Sequence, residues 1–158
     1  MRSPALALSD EVAAPGIRFS TEMLRLETDA RQELYNLTDR VSGAVRKSGV
    51  EEGLVIVSSL HTTLALFVNE WQEALLQDVK AMLNQVIVPG RGYRHDDPRY
   101  SDCDRQNAHA HLQATLLGHT LSLPIARGAL LLGQFQAVIA AELDGPRTRD
   151  LALQIVGR

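Results

Sequence analysis

Two apolar runs, GLVIVSSL from Gly53 to Leu60 and TTLALFV from Thr62 to Val68, stand one residue apart, and a change of period follows them. Short, largely apolar and rich in β-formers, both read as strands lying centrally in a sheet. From Trp71 the pattern turns helical. Trp71, Leu75, Val79, Met82 and Val86 recur on one face, with Glu73, Gln77, Asp78 and Lys80 between them, until Pro89-Gly90 ends the segment.

The rest of the chain follows the same division. Ile17 to Thr28 and Gln32 to Leu37 read as strands. Thr38-Asp39 supplies N-cap chemistry for a helix whose inner face is Leu37, Val41, Ala44 and Val45 and whose stop is Gly49. Asn107 is placed to cap a short helix, Ala108 to Leu117, ended by Gly118. Strand patterns then return over His119 to Ile125, over Ala129 to Leu143 with a break near Gly133, and over Leu151 to Val156. Arg127-Gly128 and Asp144-Gly145-Pro146 are turn signals. Strands at both ends and helices in the middle give an α+β class with mostly antiparallel sheets and two or three helices, not a βαβ alternation.

At 158 residues the chain fits a single domain, 17–158, preceded by a loose N-terminal extension over residues 1–16. A net charge of −3 and an aromatic content of 4% argue against nucleic acid as a partner. No stretch reaches the ~20 apolar residues of a membrane span. The apolar start is too short for a signal-peptide core, and Cys103 is the lone cysteine. The expectation is a soluble, cytoplasmic protein with no membrane partner.

Charge and histidine are concentrated in residues 91–111, which hold four arginines, four aspartates and His95, His109 and His111. Such a loop suits a metal or phosphate site; it also suits a plain solvated loop. His61, between the two apolar strands, reads as a core or sheet-face histidine ahead of a ligand. Residues i and i+2 of a helix point about 200° apart, so His109 and His111 cannot both hold one ion if both are helical. Nucleotide P-loop, Rossmann, HExxH, CxxC and GxSxG motifs are absent from the sequence. Asp102 and Asp104 would raise the thiol pKa of Cys103 and disfavour it as a nucleophile.

Taken in order, His61-Thr62-Thr63, Asn69-Glu70, Asp78, Tyr93-Arg94-His95-Asp96, Asn107-Ala108-His109-Ala110-His111-Leu112, Gly118 and Asp144-Gly145-Pro146-Arg147 resemble the YjbQ-like family, the secondary thiamine-phosphate synthase family. The resemblance covers residues 17–158. It implies a compact β-sandwich-like α+β domain, assembled as a homotrimer. It implies catalytic roles for His61, Asn69, Glu70 and Asp78, and a metal held by His95, His111 and, less closely matched, His109. Arg147 matches the family motif; with Arg149 beside the same turn it would bind phosphate, and the two read equally as exposed charges at a turn. One motif departs: the family's Gly-Thr-Trp-Gln stands here as Gly133-Gln134-Phe135-Gln136.

The activity so implied joins a thiazole phosphate to a pyrimidine diphosphate with release of pyrophosphate, a transferase reaction on a small phosphorylated molecule. Pyrophosphate chemistry suits magnesium, whereas a histidine cluster suits zinc or a similar ion. The alternatives are another metal-assisted reaction on a small phosphorylated or carbonyl substrate, and a non-catalytic oligomeric protein that binds a metal or small ligand.

Overall fold

A computed structural model describes residues 16–158. The extension expected over residues 1–16 therefore lies, apart from Gly16, outside the described residues. In chain order the elements are β1 (Arg18–Glu27), β2 (Glu33–Asn36), α1 (Thr38–Ser48), β3 (Glu52–Ser59), β4 (Leu64–Glu70) and α2 (Glu73–Val86). There follow a 3-10 turn (Arg94–Asp96), α3 (Ala108–Leu117), β5 (Thr120–Ala126), β6 (Ala129–Leu130), β7 (Gln136–Glu142) and β8 (Thr148–Gly157).

The strands form two antiparallel sheets, one ordered β1-β8-β3-β5-β6 and one ordered β2-β7-β4. One core lies between them. It joins Leu24 and Leu26 of β1, Val55 and Val57 of β3 and Leu151, Leu153 and Ile155 of β8 to Leu64, Leu66, Val138 and Ala140 of the smaller sheet, with Val41, Ala44 and Val45 of α1. A second core covers the other face of the smaller sheet, where Ala65, Ala137, Ile139 and Ala141 meet Leu76, Val79 and Leu83 of α2 and Ala110 and Ala114 of α3. The single-domain α+β expectation matches this architecture.

The apolar runs acquire different explanations. β4 is continuous in apolarity because both its faces are buried, although it stands at the edge of its sheet. β3 is central in the larger sheet but keeps one face open, with Leu54 exposed. The helix after β4 is also rotated from the predicted face. Leu76, Val79 and Leu83 are buried, whereas Trp71, Met82 and Val86 are exposed. Two apolar stripes share this helix, and periodicity alone does not say which one meets the sheet.

Caps differ from expectation in a way that matters for the site. Thr38 is the first residue of α1, and its hydroxyl accepts the Val138 N–H (3.0 Å) instead of capping the helix. Asn107 occupies the N-cap position of α3 without a side-chain cap. The α3 N-terminus is instead capped from the preceding loop, where Asp96 Oδ1 accepts the Ala108 N–H (2.9 Å). That bond folds the polar 91–107 loop against the start of α3.

Candidate functional site

The Asp144-Gly145-Pro146-Arg147 turn, the His61-Thr62-Thr63 corner before β4 and the first turn of α3 meet at one end of the two sheets. They enclose a cavity of about 350 Å³ lined by His61, Thr62, Thr63, Asn107, His111, Asp144, Arg147 and Arg149, with Leu60 at its side. Gly145 lets the turn come this close. A Cβ there would collide with the Ala30 carbonyl oxygen and the Glu142 side chain.

His61 is fixed by its neighbours. Its Nε2 accepts the Asp150 N–H at 2.8 Å, so the neutral ring carries its proton on Nδ1. Burial, helped by the nearby Arg149 charge, pushes its pKa below the ordinary 6.5. Arg149 is itself buried and committed. Its Nε and Nη2 form a two-point pair with the fully buried Glu142, and Nη2 also donates to Thr63 Oγ1 (3.0 Å). Its charge is thus already balanced by Glu142. Arg147 is half-exposed and freer, reaching Asp144 through Nε to the backbone oxygen (3.2 Å) and Nη2 to Oδ2 (3.3 Å).

Asp144, almost wholly buried, is the hub of the wall behind the cavity. Its Oδ2 accepts from Arg105 Nε (2.8 Å), Asn107 Nδ2 (2.8 Å) and Arg147 Nη2 (3.3 Å), while Arg31 Nη2 lies 3.9 Å from Oδ1. Burial alone would raise its pKa. The hydrogen bonds from Arg105 and Asn107, with the charges of Arg105 and Arg147, hold it below the usual carboxylate range instead. One carboxylate thus faces three guanidinium groups.

Behind that wall lies a second cavity of about 820 Å³, bordered by Arg31, Gln32, Asn84, Tyr93, Asp96, Arg105 and His109 among others. Residues 105–111 serve both spaces. Arg105, Gln106 and His109 face the larger cavity, whereas Asn107 and His111 face the smaller. The roughly 200° separation of i and i+2 on a helix is what divides the two histidines.

The site residues expected from sequence are thus distributed unevenly. His61, His111, Arg147 and Arg149 line the small cavity, and the His95 ring stands beside His111 with centroids 4.9 Å apart. His109 lies in the larger cavity. Asn69 and Glu70 are at the far end of β4, roughly 16 to 20 Å from Leu64 at ~3.3 Å per residue, and the Asn69 side chain accepts its neighbour's N–H. Asp78 is on the exposed side of α2, and none of these three borders either cavity.

The fit of the histidines to a metal is partial. His95 Nδ1 is buried without a hydrogen-bond partner, and with His111 it supplies two imidazoles. Among the described residues, however, no group of three His, Cys, Asp or Glu side chains is placed to hold one ion. Gln134 and Phe135, where the motif departs, sit at an exposed turn closed by Gln136 Oε1 on the Gly133 N–H (2.8 Å). They touch neither cavity.

Thr62, Thr63 and Asp144 were visible as motif landmarks without a role, and Asn107 as a helix cap only. Arg105 was visible only as one of the four arginines of the 91–111 cluster, and Arg31, Gln32 and Asn84 carried no site signal in the sequence. They belong to segments far apart in the chain that only the packing of α2, the polar loop and the β1–β2 connection brings together.

Residues 22–158 match the profile of the family described as "UPF0047 protein YjbQ-like". The chain belongs to the YjbQ/UPF0047 family. A UPF0047 protein of Methanothermobacter thermautotrophicus is 37% identical over 87% of this chain and 92% of its own length. One from Archaeoglobus fulgidus is 41% identical over 83% and 97%. A crystal structure of a "YbjQ-like protein of unknown function" from Sulfolobus solfataricus superposes with a TM-score of 0.84 at 32% identity, covering 90% of this chain and 99% of that one. A hypothetical protein from Aeropyrum pernix follows at a TM-score of 0.80 and 31% identity, covering 88% and 99%. The shared YjbQ fold thus extends over nearly the whole described chain. No helix among the described residues is long and apolar enough to cross a membrane.

Proposed function

We propose that this YjbQ-like chain binds the phosphate of a small phosphorylated substrate in the 350 Å³ cavity and acts as a group-transfer enzyme with phosphate or pyrophosphate as leaving group. The observation that carries the reading is Arg147, a half-exposed guanidinium on the cavity lining whose contacts with Asp144 are long and shared with Arg105 and Asn107. An anion in the small cavity would take its charge-assisted hydrogen bonds from Arg147, with the Thr62 hydroxyl and the N–H on His61 Nδ1 as neutral donors. A His61 held neutral and oriented by the Asp150 N–H is suited to donate a hydrogen bond from Nδ1 to a departing phosphate oxygen while keeping its proton.

The specific reaction carried by the family resemblance is thiamine-phosphate formation from a thiazole phosphate and a pyrimidine diphosphate. A divalent ion would supply charge neutralisation at the leaving pyrophosphate. His95 and His111, whose ring centroids lie 4.9 Å apart, are the residues that would hold a transition-metal ion.

The test supplies the two precursors to purified protein with magnesium, manganese or zinc and measures thiamine phosphate. Product formation lost in Arg147→Gln supports the reading. Absence of product with every ion removes the thiamine-phosphate activity. If inorganic phosphate also leaves the Thr62 and Thr63 amide resonances unmoved, phosphate binding in the small cavity falls with it.

A further inference from the structure

The larger cavity has no part in that phosphate reading, yet it has the features of a built site. Its volume of about 820 Å³ is within the range of small-molecule pockets. Arg31 is its least committed cation. It reaches only the Arg105 carbonyl at 3.5 Å and Asp144 Oδ1 at 3.9 Å, and more than half of its side chain is exposed. On the same lining His109 Nδ1 is buried with no hydrogen-bond partner, and its ring feels the Arg31 charge.

The acidic residues on the lining are already engaged. Asp97 holds Arg99 through both carboxylate oxygens, and Asp96 caps α3. Arg105 spends Nε and Nη2 on Asp144. Arg31 is consequently the charge that a ligand can meet most cheaply.

The opposite side is polar and uncharged. Gln32 and Asn84 exchange two hydrogen bonds, Nδ2 of Asn84 to Oε1 of Gln32 (2.8 Å) and Nε2 of Gln32 to Oδ1 of Asn84 (3.4 Å), and the fully buried Gln113 ties both together. This leaves one N–H of Asn84 and one lone pair of Gln32 Oε1 unspent, a donor beside an acceptor. Between the two sides, Gly90 and Gly92 both have positive φ, and a Cβ on either would meet only open space.

We propose that this cavity is a second ligand site for a polar organic anion, its phosphate or carboxylate held by Arg31 beside His109 and its uncharged body hydrogen-bonded by Gln32 and Asn84. The two cavities share the Arg105–Asn107–Asp144 wall, so the arrangement presents separate places for two reactants of a transfer reaction. The inference stands without the phosphate reading of the small cavity, because its own residues carry it.

The probe is adenosine 5′-monophosphate, titrated into the full chain and followed by backbone amide resonances. Binding is expected to move the Gly90, Gly92 and Gln106 amides. Arg31→Gln, a change at a mostly exposed side chain, is expected to weaken that response about tenfold, the size of one charge-assisted hydrogen bond. Arg147→Gln should leave it unchanged while weakening any phosphate response at Thr62 and Thr63. Unmoved Gly90 and Gly92 amides at millimolar probe, or an affinity indifferent to Arg31→Gln, overturn the second site. Movement at Gly90 and Gly92 with Thr62 and Thr63 silent removes the phosphate reading of the small cavity and leaves this one standing.

Discussion

Replacing Arg149 by Met would strand a carboxylate in the core. In the folded chain each oxygen of Glu142 has two polar neighbours. Oε2 has Arg149 Nε at 2.6 Å and Thr28 Oγ1 at 3.0 Å, and Oε1 has Arg149 Nη2 and the Asp144 N–H at 2.8 Å. Both side chains are essentially removed from water, at 2% and 0% exposure. A pair in this setting gains little over a well-packed apolar pair, but breaking it leaves a desolvated charge, at a cost of about 3–5 kcal/mol. Met keeps the stem of Arg149 and its packing, so charge is the main thing lost. Against a typical total stability of about 5–15 kcal/mol, that is a large fraction, and it lowers Tm by roughly 10 °C for a domain of this size.

Urea unfolding followed by circular dichroism at fixed protein concentration gives the number. The double variant Glu142→Gln/Arg149→Met removes the stranded charge, so it should be more stable than Arg149→Met alone. A protonated Glu142 leaves no stranded charge, so the deficit of Arg149→Met should narrow as pH falls. A loss below about 1 kcal/mol, the size of an exposed ion pair, or a double variant no better than the single, would refute the view that Glu142 and Arg149 are a desolvated, mutually dependent pair.

Two further outcomes are expected. Gly145→Ala should destabilise the fold by about 1–3 kcal/mol or more, because its Cβ overlaps the Ala30 carbonyl oxygen; the same unfolding titration checks it, and a neutral effect would mean that the turn yields. His61, His109 and His111 all have pKa values lowered by burial, joined respectively by the charges of Arg149, Arg31 and His95. The folded chain therefore prefers neutral rings, the unfolded chain takes up protons first, and stability falls as pH drops below about 6.5 toward the lower folded values. His61→Gln should flatten that slope, by no more than about 1.4 kcal/mol per pH unit and by less where water screens the half-buried ring. An unchanged slope in urea midpoints between about pH 7 and pH 5 would place the proton uptake elsewhere.

Much of the fold was legible because the relevant signals are local. Strand-forming runs, the αL glycine at Gly49 and the turn at Asp144-Gly145-Pro146 depend on neighbours in sequence, and the structure has strands, a helix end and a turn there. The face of α2 was legible only at Val79, because choosing between Trp71, Met82 and Val86 to one side of it and Leu76 and Leu83 to the other depends on which sheet the helix meets. Capping of α3 was misplaced for a related reason. Asn107 was the nearest capping residue in sequence, but its amide is drawn to Asp144, leaving Asp96, twelve residues upstream of Ala108, to take the helix N–H.

By itself the sequence determined the antiparallel α+β class, the landmarks of the YjbQ/UPF0047 family and the divergence of His109 from His111. These follow from periodicity, turn chemistry and helix geometry, all of which act over a few residues. Only the tertiary structure decided which charges are spent and which remain. Arg147 and Arg149 are two residues apart and look alike in sequence, yet one is half-exposed at a cavity and the other is neutralised in the core by Glu142. That difference arises from strand register and desolvation. Arg149 pairs across the sheet with Leu26 and points inward to Glu142, while Arg147 lies in the turn, where its guanidinium joins Arg31 and Arg105 around Asp144.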